Sequence, residues 1–261
     1  MSANQYNLNN SNNGYNLNYN NNYNTGYQNN GGGVPQTVAY ATNIAQAEFY
    51  RKTYSHVALA LLAFIVVEVL LLNTVPASFI YSMVSKPFVW LFVLGGFWLG
   101  SVLAQKWAFS LDRKVQYIGL GVYVFLEAFI FLPMIAIALT YGGGEIISQA
   151  GIITLALFGG LTAVVFLTKV NFSFLRTILI VGGFIALGLI VAGAIFDFNL
   201  GLWFSVAMVL LAGAGILYQT YNIKNQFSTD QYVGASLLIF SSVMLLFWYV
   251  LRILLALSRR N

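Results

Sequence analysis

The sequence predicts an all-α membrane protein, a bundle of seven transmembrane helices behind a polar N-terminal tail. Three observations predict it. Of 261 residues, 59% are hydrophobic and only 7% charged, where a soluble domain carries about 25% charged residues. The apolar residues fall in long runs, close to the roughly 20 residues that cross a hydrocarbon core. All 19 charged residues follow position 47, Glu48 being the first, so the first stretch is a different material from the rest.

The tail comes first. Residues 1–30 contain 14 Asn and 5 Tyr, and Gly31–Gly32–Gly33 follows. With almost nothing aliphatic to bury, ordering this backbone would go uncompensated. Residues 1–46 are therefore expected to be a disordered cytoplasmic tail. It reads either as a solvated tail with no specific partner or, from its regular tyrosines among asparagines, as a self-associating segment. It has no basic n-region and no apolar h-region, so it is not a secretory signal peptide.

Residues 47–261 form the membrane domain. Spans are expected at about 56–74, 88–105, 115–140, 150–168, 177–196, 200–218 and 232–257. The breaks carry loop chemistry: Asn73 to Pro87, Lys106 to Lys114, Tyr141 to Glu145, Lys169 to Arg176, Asp197 to Asn199 and Tyr221 to Gln231. In hydrocarbon every backbone donor and acceptor must be paired internally, which apolar runs of this length do as helices.

Basic residues set the orientation. With the N-terminus cytoplasmic, that side holds Arg51, Lys52, Lys106, Arg113, Lys114, Lys169, Arg176 and Lys224. The other side holds Lys86, Arg252, Arg259 and Arg260. Eight against four favours N-inside. The C-terminal arginines oppose it, so the last helix either crosses or re-enters.

Within the spans, small residues are frequent, and Gly96 to Gly100 has GxxxG spacing. Such residues let helix backbones approach closely, inside one bundle or across a dimer face. Pro133 lies mid-span and should kink the third helix, freeing a carbonyl.

Several function classes are excluded. There is no cysteine and one histidine, His56, so thiolate and multi-histidine metal sites are out, and no cofactor motif is present. The scattered basic residues do not make a nucleic-acid face. Gly234–Ala235–Ser236 faintly resembles an intramembrane protease loop, but Leu237 stands where that pattern wants glycine. No enzymatic activity is expected.

Acids at membrane depth are the candidates for function. Glu68 lies 12 residues after His56, and Glu127 lies 12 after Val115, so both sit about 18 Å into spans of the same direction. Facing each other, they would share a proton or hold a cation. Alternatively, each is a neutral acid hydrogen-bonded to a neighbouring helix. Arg252, near the end of the last span, can snorkel to the interface.

Specific residues also resemble a known family. Glu48–Phe49–Tyr50–Arg51–Lys52–Thr53–Tyr54 before the first span is similar to the entry motif of the Bax inhibitor-1 family. Thr168–Lys169–Val170–Asn171–Phe172–Ser173–Phe174–Leu175 resembles its loop between spans four and five. Phe125–Leu126–Glu127 with Pro133 resembles its third span. Leu217–Tyr218–Gln219 and Leu251–Arg252–Ile253–Leu254 resemble its C-terminal signature. The likeness covers about 48–257.

The resemblance implies a seven-helix bundle of Bax inhibitor-1 type with a cation leak, in which two aspartates, one from span six and one from span seven, form a pH-sensitive pair that gates calcium. In this chain those positions align with Gln219 and with Ser242, or Ser241 after a one-residue slip. A glutamine–serine pair can hydrogen-bond. It does not titrate, and it offers no negative charge to a hard cation that prefers anionic oxygens.

Two functions are therefore expected. One is a weak cation leak that uses Glu127, with Glu68, in place of the missing aspartates. The other is a non-conducting regulator that binds other membrane proteins, such as a membrane-bound protease or stress and cell-death factors. A polar cavity converging on Glu127 favours the first, and a bundle closed with apolar side chains around it favours the second. The bilayer is the expected solvent, that of a bacterial inner membrane or the endoplasmic reticulum.

Overall fold

The computed structural model describes residues 36–258. Residues 1–35 of the expected tail, and Arg259 and Arg260 used in the orientation argument, lie outside the described residues.

Residues 36–46, expected to be disordered, are structured. A single 3-10 turn (Val38–Tyr40) leads into α1 (Asn43–Thr74). Thr42 caps α1, its hydroxyl accepting from the Ala45 N–H at 3.3 Å. Just before the turn the chain pairs with the segment linking the last two helices. The Val38 N–H donates to the Phe227 carbonyl at 2.8 Å, and the Thr229 N–H donates to the Gln36 carbonyl at 2.9 Å. Val38 is fully buried against Phe49, Val57 and Ile223. One valine in a polar segment gives no periodic signal, so the sequence could not reveal this anchor.

The first helix thus starts well before residue 56. Its polar first turns carry the Glu48–Lys52 ion pair at 2.7 Å. The hydrogen bond and charge of Lys52 hold the Glu48 carboxyl below its ordinary range. Within the expected loop 73–87 lies a short helix, α2 (Ala77–Ser85), with Ile80 and Met83 buried. Next comes α3 (Pro87–Ala108).

The fourth helical element, α4 (Arg113–Leu167), covers the expected third and fourth spans in 55 residues. Straight, it would be about 80 Å long, over twice the hydrocarbon thickness. It is not straight. Gly143 has φ 61° and ψ −166°, non-helical angles inside the element. Both ends of α4 return to the same turns of α1: the Tyr117 hydroxyl meets His56 Nε2 at 3.1 Å, and the Phe166 ring meets Tyr50 at 5.1 Å. The limbs 113–142 and 144–167 therefore run antiparallel, each long enough for a bilayer. Gly143 makes the reversal, whereas the backbone stays helical through Pro133.

Three helices complete the bundle: α5 (Leu175–Phe196), α6 (Gly201–Asn225) and α7 (Tyr232–Ser258). Asp197 ends α5 in the left-handed region, φ 53°, a conformation its short polar side chain tolerates. α7 is one unbroken helix of 27 residues, about 40 Å long. That length suits a crossing of the hydrocarbon core.

α7 and α4 hold the core. In the most apolar window of α7, 56% of residues are buried, against 6% for α5. Phe131 stacks on Phe247 at 5.6 Å and meets Trp248 edge-on at 4.9 Å, while Trp90 stacks on Trp248 at 6.1 Å. Outside, Phe184, Ile185 and Leu187 of α5 are all more than half exposed. A contiguous surface of this kind requires an apolar solvent. Six helices among the described residues are long and apolar enough to cross a membrane.

The small residues divide by role. A Cβ on Gly119 would lie 2.5 Å from the Ala108 nitrogen and 2.6 Å from the Ala104 carbonyl oxygen, so α3 and α4 touch backbone to backbone there. Within the GxxxG pair, a Cβ on Gly100 would meet Leu126 at 2.8 Å, while Gly96 has nothing within 4 Å.

Candidate functional site

The bundle lines a half-open cavity of about 830 Å³. α3 supplies Trp90 and Phe97, α4 supplies Tyr123, Glu127 and Pro133, and α5 supplies Leu179 and Gly183. Gly215 and Gln219 come from α6, and Ser241, Ser242 and Arg252 from α7. At its far end the lining includes Phe198 and Asn199, in the exposed turn between α5 and α6. Most of the wall is apolar, so its few polar groups define it.

Three of the four sequence candidates meet here: Glu127, Gln219 and Ser242. Glu127 is 6% exposed and contacts the Tyr123 hydroxyl one turn earlier on α4. Tyr123 donates to Ser241 Oγ at 2.7 Å, tying α4 to α7. Ser242 faces α6, its Oγ 3.7 Å from where a Cβ on Gly215 would stand. Gly215 is one turn from Gln219. Among the described residues, however, no hydrogen bond joins Gln219 to Ser242. The Ser242 hydroxyl donates back to the Leu238 carbonyl at 3.1 Å. The two positions are neighbours without forming a pair.

Glu68 stands apart. It is 5% exposed, does not line the cavity, and neither carboxylate oxygen has a hydrogen-bond partner. The two acids therefore do not share a hydrogen bond, although their depths match. Depth along a helix is legible in sequence, but the angular position of α1 against α4 is set by packing.

Arg252 is a wall residue of this cavity and of a second one of about 360 Å³, which Asn199 and Ser205 also line. Its guanidinium lies 5.9 Å from the centre of the Phe204 ring. From Ser242 to Arg252 is ten residues, about 15 Å along α7. Ser242 and the guanidinium thus mark different levels of one cavity.

The remaining candidates have structural roles. His56 Nδ1 is 2.7 Å from the Lys52 carbonyl, and Nε2 is 3.1 Å from the Tyr117 hydroxyl. A carbonyl only accepts, so Nδ1 donates to Lys52. The Tyr232 ring beside them takes Arg113 at 4.5 Å and Lys52 at 5.3 Å. Ser236 is fully buried and donates to the Val233 carbonyl at 2.7 Å, an arrangement unlike an activated nucleophile. Among the described residues no group of three or more His, Asp or Glu could hold a metal. Tyr123 is a neighbour that the sequence did not single out, since a lone hydroxyl in an apolar helix carries no pattern, whereas its partner Ser241 is the alternative seventh-span position of the sequence reading.

Residues 46–260 match the family described as Inhibitor of apoptosis-promoting Bax1. The chain is 34% identical over 112 residues to an uncharacterized protein of Pseudomonas aeruginosa, covering 42% of this chain and 50% of that one. It is 32% identical over 142 residues to Bax inhibitor 1 of Schizosaccharomyces pombe, covering 51% of each. With Protein lifeguard 4 of Mus musculus it shares 29% identity over 236 residues, 85% of this chain and 91% of the relative. The chain thus spans about half the length of the first two relatives. A family match over most of the sequence joins a surface that only lipid can solvate, and the chain belongs to the Bax inhibitor family of multi-pass membrane proteins.

Proposed function

We propose that this protein is a weak proton leak, with Glu127 as the group that carries the proton through the bilayer core. The observation that supports the reading is the cavity that reaches Glu127 from the exposed turn at 198–199. Calcium takes six to eight oxygens, several of them anionic. Glu127 is the one carboxylate among the wall residues, beside neutral Gln219, Ser241 and Ser242, and a single acid suits a proton better. In this reading the chain crosses seven times, counting the two limbs of α4 separately, with its N-terminus on the cytoplasmic side.

The test is proton flux in vesicles holding the full chain. Glu127→Gln is expected to lower flux at least about tenfold, the effect of about 1.4 kcal/mol on a barrier. Unchanged flux would reject the role of Glu127. The second reading, a non-conducting regulator of other membrane proteins, draws on the mostly apolar wall and on the self-satisfied Ser242 hydroxyl. It would replace the first if the unmodified protein passed no protons, sodium, potassium or calcium.

A further inference from the structure

We infer that the half-open cavity binds one long-chain fatty acid, its carboxylate held by Arg252 and its acyl chain laid along α5 towards the level of Ser242. The inference concerns what the cavity accepts and does not rest on the leak reading.

The shape comes from α5. Its backbone comes close to α3 and α6 but not to α4 or α7. All four of those helices supply wall residues, so the cavity is the gap between α5 and the packed core. On α5 the wall runs from Leu179 to Ala194 and is apolar throughout, about 22 Å of helix. A volume of about 830 Å³ lies within the range of small-ligand sites, about 300–1,000 Å³. Water fits such walls poorly, because each molecule needs two to four polar partners. An acyl chain needs none. A chain already in lipid gains little by exchanging one apolar surface for another, so the head has to supply the selectivity.

The polar end of the cavity suits an anion. Arg252 and Asn199 line both this cavity and the smaller one beside it. Among the described residues Arg252 is in no ion pair, and its guanidinium lies against the Phe204 ring. The Asn199 Oδ1 already accepts from the Gly201 N–H at 2.9 Å, which leaves its amide NH2 to donate. Both groups therefore offer hydrogens, beside one fixed positive charge. Asp197, in the same turn, is exposed and outside the wall. Glu127, the carboxylate in the wall, contacts Tyr123, which bonds Ser241, a level about 16 Å from Arg252 along α7. A planar guanidinium matches the two oxygens of a carboxylate. One cation balances one carboxylate, whereas a dianionic phosphate would keep an uncompensated charge in apolar surroundings. Arg252 stands within two turns of the end of α7, the depth at which a headgroup lies, and the apolar wall leads inward from it.

The experiment uses full-length protein in phosphatidylcholine nanodiscs and palmitate carrying a photoreactive diazirine in mid-chain. Crosslinks are expected on inner wall residues such as Ala186 and Met208, both buried. They should saturate and be competed by plain palmitate but not by hexadecanol, which has the chain without the charge. Arg252→Gln is expected to weaken labelling about tenfold, as loss of a hydrogen bond to a charged group does, and Arg252→Lys to restore most of it. Gly183→Leu, whose side chain enters open space at the wall, is expected to block it. Labelling that never saturates, or that falls only on outer residues such as Phe184 and Ile185, would overturn the site. Competition by hexadecanol as strong as by palmitate would overturn the role of Arg252, and that arm needs no variant to fold. Stronger competition by hexadecyl phosphate than by palmitate would overturn the carboxylate in favour of a phosphate head. No arm reads proton flux, so failure of this site leaves the Glu127 reading to its own test.

Discussion

At the residue scale, burial without a partner separates Glu68 from Glu127. Both are acids at matched depth, yet only Glu127 has a cavity before it and a tyrosine hydroxyl beside it. The Glu68 oxygens are buried and unmatched, so Glu68→Leu removes two polar atoms that nothing satisfies. It is expected to raise stability by about 1–3 kcal/mol, read as a higher Tm in detergent, and to leave proton flux unchanged. A fall in flux would put Glu68 back on the pathway. Tyr123→Phe is expected to do the opposite. It strips Ser241 of its hydrogen bond across α4 and α7 and should cost about 1 kcal/mol, seen in the same melt.

At the scale of elements, glycine positions decide where helices touch and where they turn. Gly119 allows backbone contact between α3 and α4. Gly119→Leu should force them apart, costing about 1–3 kcal/mol as an overpacked core does, whereas Gly96→Ala, with open space around it, should leave the melt unchanged or raise it. Gly143 has a different task. Its angles, φ 61° and ψ −166°, lie in a region open essentially only to glycine, with a cost of about 1–3 kcal/mol for other residues. Gly143→Ala is therefore expected to destabilise the reversal of α4, measurable as a lowered Tm despite alanine's better helix propensity. The sequence placed a glycine-rich break at 141–145, but three successive glycines could not say which one would turn.

For the whole molecule, the prediction is topological. The chain has no cysteine, so single cysteines report side without interference. Ser110→Cys, Asn171→Cys and Gln226→Cys should all label from the cytoplasmic side, and Ser85→Cys and Asn199→Cys from the other. Labelling of Asn171→Cys and Ser110→Cys from opposite sides would contradict the reversal within α4. The same reversal brings Tyr117 and Phe166, 49 positions apart, to one end of α1.

Composition and run length alone determined that lipid is the solvent and that the fold is a helical bundle, because backbone pairing in hydrocarbon leaves long apolar runs no other form. They also determined the depth of each acid, since helical rise is fixed. Rotation about each helix axis was decided only by tertiary packing, since helices apolar on every side carry no stripe to orient them. That rotation turned Glu127 into a cavity and Glu68 away from it.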